Sequence, residues 1–185
     1  MFDYQAVTAW AALLAAFVAL IAVWVEGRRN RFSQGLDLLL RLKAEFDSQA
    51  FRWKRQALAK SLVKQNRFPP EPSPELEAFI AHLMDHFQIV GLLLRKGRLD
   101  SELIYSEYFF WLHHYFFLFR TTIAAYRRED ATIWYDAEWL YQRLLVHERR
   151  NRPKGDDVGP SKESLDQFLV GEAYPGPPSD TESQD

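Results

Sequence analysis

The sequence predicts an all-α protein: one N-terminal transmembrane helix over residues 6–25, a four- to five-helix cytoplasmic bundle over 26–150, and a disordered acidic tail over 151–185. Three observations predict it. An uncharged apolar run opens the chain, apolar residues recur at three- and four-residue spacing through the middle, and Pro, Gly, Ser and acid dominate the end.

The opening run, AVTAWAALLAAFVALIAVWV, holds twenty residues, of which Thr8 alone is polar. As a helix it spans roughly 30 Å, the thickness of a bilayer's hydrocarbon core. Trp10 and Trp24 lie towards its ends, where amphipathic rings favour the headgroup level, and Arg28, Arg29 and Arg31 follow directly. A cleaved signal peptide would carry a basic n-region and a shorter apolar run; here Asp3 is the only charge before the run, which ends in Trp-Val-Glu-Gly. A buried core helix uninterrupted by polar residues on every face would be unusual in so small a protein. The positive-inside rule places the C-terminal side in the cytoplasm and leaves residues 1–5 as a short extracytoplasmic N-terminus. Thr8, Ala12 and Ala16, with Ala11, Ala15 and Ala19, give small-xxx-small faces through which spans associate, although alanine is also simply common in such helices.

The net charge of −2 conceals an asymmetry. Residues 26–65 carry ten Lys and Arg against four acids, whereas 150–185 carry four against eight. The basic excess lies beside the span and suits an anionic cytoplasmic leaflet, at about 1 kcal/mol per cation near the surface. No nucleic-acid partner is expected, because the basic residues spread over two amphipathic helices without a binding motif. The absence of cysteine excludes disulfides, thiolate chemistry and Cys-based zinc sites, and agrees with a reducing compartment.

Beyond the arginines, Leu36, Leu39, Leu40, Leu42 and Phe46 make an apolar stripe, on a helix that can continue from the span with Gly27 and Gly35 as weak points. Asp47-Ser48 offers an N-cap for a helix over 49–65, with Phe51, Leu58, Leu62 and Val63 apolar. RFPPEPSP at 67–74 has four prolines and is a stiff connector. Ser73-Pro74 is an N-cap and N1 pair for a helix to about Lys96, stopped at Gly97. Gly91 inside that helix costs about 1 kcal/mol relative to Ala, which close packing against a neighbour would explain. Asp100 caps the next helix, Ser101 to about Arg128, whose aromatics wrap nearly all round. Asp130 is the expected cap of the last helix, Ala131 to about Arg149. In the tail, SLDQFLVGEAY is a single apolar island that could order on a partner or on its own domain.

Candidate chemistry is sparse. His82 and His86 stand at i, i+4 spacing with Asp85 beside them, a geometry that can hold one metal ion, but no third ligand and no HExxH accompany them. Glu107 and Arg120 interrupt the aromatic helix and, if buried, need partners such as Arg143 or Glu138, an arrangement that would fix helix register. No phosphate loop or nucleophile–base constellation is present, so no catalytic residue and no cofactor are assigned.

The stretches FDSQAFRWKRQALAKSLV (46–63), FQIVGLLLRKGRLDSELIYSEYFFWLHHYF (87–116) and REDATIWYDAEWLYQRLL (128–145) look like those of a widespread bacterial family known only as a domain of unknown function. The resemblance covers about residues 5–148. It implies a span, a small helical cytoplasmic domain and a bacterial inner-membrane address, and no activity. Three functional expectations follow: a membrane-tethered scaffold holding a protein partner or its own copies; an oligomerising effector whose spans perturb the bilayer; and a metal-binding or enzymatic protein using His82, Asp85 and His86. The first leads.

Overall fold

The structure, a computed structural model, describes residues 4–65, 73–151 and 159–175, without the side chains of 4–9, 11–13, 31 and 65. The connector 66–72 and the segments 1–3, 152–158 and 176–185 lie outside the described residues. All regular structure among the described residues is helical, in the order α1 (Tyr4–Phe46), α2 (Gln49–Gln65), α3 (Pro74–Arg95), α4 (Ser101–Leu118), α5 (Arg120–Glu129), α6 (Tyr135–Asn151) and α7 (Lys162–Ala173).

α1 runs unbroken through Gly27 and Gly35, the two expected weak points. Its apolar side chains from Leu14 to Val25 are exposed, while Leu39, Leu42 and Phe46 are buried in the core. One helix therefore changes environment along its length. By length and composition, the helix among the described residues that could cross a bilayer is α3; the expected span 6–25 lies in part outside them, at the side chains of 6–9 and 11–13. Half of α3's most apolar stretch is buried inside the protein, as in the core helix of a bundle.

The expected caps hold at three helix starts. Ser48 Oγ accepts from the Phe51 amide, Ser73 Oγ from Leu76, and Asp100 Oδ1 from Glu102 and Leu103. Gly97 closes α3 with a φ of +66°, a conformation that only glycine adopts at no steric cost. Gly91 is where α3 crosses α6: a Cβ there would run into the Asp136 carbonyl, so the close packing its sequence position calls for is present.

Three expectations require correction. The long aromatic helix is two, α4 and α5, divided at the fully buried Phe119. No Gly or Pro marks that break. The last helix starts at Tyr135, not Ala131. Asp130 Oδ1 instead accepts from the Thr132 amide and hydroxyl, closing a turn that ends at Trp134 with a φ of +50°. The cap of α6 comes from α3, where Gln88 Oε1 accepts from the Asp136 and Ala137 amides at 2.8 and 3.0 Å. Finally, the tail is not disordered throughout. Residues 162–173 form α7, which buries Leu165, Phe168, Leu169 and Ala173 and packs chiefly on α2. Among the described residues the bundle thus has six helices beyond α1.

Candidate functional site

The His82–Asp85–His86 cluster does not converge on one point. Asp85 turns towards the α5–α6 turn, where its carboxylate accepts from the Trp134 indole at 2.9 Å. His82 and His86 face Phe51, with ring centroids at 4.9 and 5.6 Å. His86 is buried among Phe46, Phe51, Phe87 and Tyr108, and its Nε2 has no hydrogen-bond partner among the described residues. Burial lowers its pKa to about 4, with the charges of His82 and Arg55 adding in the same direction. His86 is thus a neutral core residue. Among the described residues no three His, Asp or Glu side chains gather as metal ligands.

The expected register-fixing pair also lies elsewhere. Glu107 reaches Lys43 of α1 at 3.2 Å, on the surface, and the Arg120 guanidinium lies 4.3 Å over Phe117. Glu138 pairs with Arg127. Among the described residues the buried Lys or Arg is Arg55 of α2, which the sequence presents as one of many basic residues on an amphipathic helix.

Arg55 is built into the core step by step. α2 begins at the Asp47-Ser48 corner and carries Phe51, Arg55, Leu58 and Leu62 along one buried face, at helical spacing. The Arg55 side chain is 4% exposed. Its guanidinium carbon lies 4.2 Å from the Phe46 ring centroid and 4.6 Å from that of Trp111, with Phe51 at 5.9 Å. A flat, weakly hydrated guanidinium suits an aromatic box better than an ammonium would.

The carboxylate that compensates Arg55 comes from α7. Glu172 Oε2 lies 3.2 Å from Arg55 Nε and accepts from the Tyr115 hydroxyl at 2.7 Å, while Asp47 approaches the guanidinium at 4.0 Å. One turn earlier on α7, Phe168 enters a cup of rings from α4. It stacks on His114 at 4.6 Å and meets Phe110, Trp111 and Tyr115 edge-on at 5.0–5.8 Å. His114 Nδ1–H donates to the Phe110 carbonyl at 2.7 Å, which leaves Nε2 to accept from Ser164 of α7 at 3.2 Å. Burial raises the Glu172 carboxyl, against the Tyr115 hydrogen bond and the Arg55 charge. It also pushes the Tyr115 phenol well above its ordinary range, and lowers the His114 imidazole. Arg55 Nε and Nη1 are buried and without a hydrogen-bond partner among the described residues, the Glu172 contact to Nε being an ion pair.

At the other end of the molecule Trp10 and Trp24 are exposed, and the Arg28 guanidinium lies 5.7 Å over the Trp24 ring. Arg29, Ala15, Ala16 and Ala19 are exposed as well; the side chains of Thr8, Ala11, Ala12 and Arg31 lie outside the described residues. A groove of about 540 Å³ opens between α2 and α3, lined by Trp53, Lys54, Leu58, Phe79 and His82 among others.

Comparison with protein families matches residues 9–144 to DUF4760, a domain of unknown function. The match ends within α6 and leaves α7 outside it. No curated protein and no solved structure matches the chain.

Proposed function

The chain belongs to the DUF4760 family, and from that premise we propose that it is a membrane-tethered helical interaction module without catalytic activity. Residues 6–25 anchor it as a single span in a bacterial inner membrane, and the bundle faces the cytoplasm. The observation that carries this reading is the continuity of α1, from the exposed apolar residues Leu14–Val25 to the buried Leu39, Leu42 and Phe46. An exposed apolar stretch marks an interaction with membrane or protein, and the twenty-residue run 6–25 to which it belongs has the length that a bilayer needs.

Residues 26–34 then act as a rigid stalk of about 13 Å before α1 first approaches the bundle, where Gly35 lies against the Arg98 carbonyl. At physiological ionic strength charges are screened over about 8 Å. Lipid attraction therefore acts mainly through Arg28, Arg29 and Arg31, and the bundle is held clear for a protein partner.

Because the chain has no cysteine, single-cysteine labelling tests this directly. Alkaline carbonate should leave the full chain in the membrane pellet. An impermeant maleimide should label an Asp3→Cys chain in intact spheroplasts, and an Ala131→Cys chain only after permeabilisation. Release into the soluble fraction overturns the tether, and the inverse labelling overturns the orientation.

A further inference from the structure

We propose that the groove between α2 and α4, floored by Arg55, is a recognition site for an amphipathic helix carrying a phenylalanine and a carboxylate one turn apart, and that α7 fills it in cis as a built-in ligand which a partner helix of the same chemistry displaces. The inference rests on the interaction-module reading in one respect: it names the chemistry that the partner presents.

Four observations carry it. First, the groove is a made site. Arg55 is a fully desolvated cation in an aromatic box, and a buried guanidinium left without a carboxylate is strongly destabilising. Second, α7 shows what the site takes: the Phe168 ring fills the cup of Phe110, Trp111, His114 and Tyr115, and the Glu172 carboxylate, four residues on, meets Arg55 and Tyr115. Third, α7 is an incomplete ligand. Glu172 approaches Nε only as an ion pair at 3.2 Å, and neither Nε nor Nη1 has a hydrogen-bond partner among the described residues, whereas a guanidinium offers parallel N–H donors to a carboxylate. A helix that presents its carboxylate squarely across the fork gains a charge-assisted hydrogen bond that α7 does not make.

Fourth, α7 is attached in a way that allows exchange. It lies outside the residues that the family match covers, 9–144. At twelve residues it is too short to be stable as an isolated helix, so its order depends on docking. One face is buried, while Glu163, Gln167, Val170 and Gly171 face outward. In sequence, α7 follows α6 after residues 152–161, so it is the last helix of the chain.

The test uses the detergent-solubilised full chain and a fluorescent peptide of residues 159–175. Binding to the Phe168→Ala chain, whose own α7 is loosened, should be at least tenfold tighter than to the unaltered chain. The same peptide carrying Glu172→Gln should bind at least tenfold more weakly. Hydrogen exchange should show residues 162–173 of the unaltered chain opening well before α3 and α6, and opening further in the Glu172→Gln chain. Should Phe168→Ala disturb the α3–α6 amides, a Leu165→Ala chain replaces it. No peptide binding to any loosened chain, or opening of α7 only together with α3 and α6, overturns the proposal. A concentration-dependent dimer formed by swapped α7 helices overturns displacement by a partner in favour of a second copy. Membrane extraction plays no part in these readouts, so failure here and failure of the tether are separately visible.

Discussion

Arg55 and Glu172 come from opposite ends of the bundle's sequence, yet Nε and Oε2 lie 3.2 Å apart in a site closed to water by Phe46, Trp111 and Tyr115. Removing the cation should expose the dependence of the core on this pair. Arg55→Ala is expected to cost about 3–5 kcal/mol, because it strands a buried carboxylate. Glu172→Gln is expected to cost about 1–2 kcal/mol, since the amide oxygen still accepts from Tyr115. The double variant should lose less than the sum of the singles, as for any coupled pair. Guanidinium unfolding followed by tryptophan fluorescence measures all three; strict additivity would show that the two residues do not interact.

Acid sensitivity should centre on His86. Its pKa falls from 6.5 to about 4 on burial, so the unfolded chain binds the proton first. The contribution is complete above pH 6.5 and is lost as pH falls from 6.5 to about 4, amounting to about 3 kcal/mol by linkage. The lowered imidazoles of His113 and His114 act in the same direction, and the raised Glu172 carboxyl opposes them. Stability measured from pH 7 to 4 should therefore fall less steeply in His86→Phe than in the unaltered chain. Parallel curves would rule out His86 as the source.

Gly91→Ala tests the α3–α6 crossing. Alanine returns about 1 kcal/mol of helix propensity, but its Cβ meets the Asp136 carbonyl, and overpacking costs about 1–3 kcal/mol even where side chains can yield. A backbone carbonyl yields less, so the net change is destabilising. A rise in melting temperature would contradict the crossing.

Asp85 should matter through Trp134 and not through metal. Asp85→Ala leaves the largely buried indole N–H of Trp134, a residue itself at positive φ, without its acceptor, and is expected to cost about 1–3 kcal/mol. Asp85→Asn keeps an acceptor and should restore most of it. Metal content measured on the purified chain should not differ between the two variants.

The span offers a separate test. Replacing Ala12, Ala15, Ala16 and Ala19 by leucine keeps the stretch apolar and removes its small-residue faces. A tether tolerates the change, and membrane retention and partner capture should be unaltered. Loss of function with intact anchoring would favour an effector whose spans associate.

Three helix starts were legible from local signals, because Ser48, Ser73 and Asp100 act on amides two or three residues away. Gly97 was legible for the same reason, and Gly91 announced a close neighbour without naming it. The α4–α5 break was not, since no Gly or Pro marks it at the buried Phe119, and neither was the start of α6, since Gln88 caps it from α3, 48 residues away. The candidate site was least legible. Arg55 reads as one of ten bases in a basic stretch, and Glu172 as one acid of an acidic tail.

The sequence by itself determined the helical class, the apolar opening run, the charge asymmetry and the local caps, because periodicity, composition and capping act within a turn or two. Only the tertiary structure decided that α1 enters the core as one continuous helix, that His86 is core and Asp85 a partner of Trp134, and that the tail's apolar island docks. The reason is physical. A twelve-residue helix and a lone arginine have no stable environment of their own, and only the other's burial supplies it.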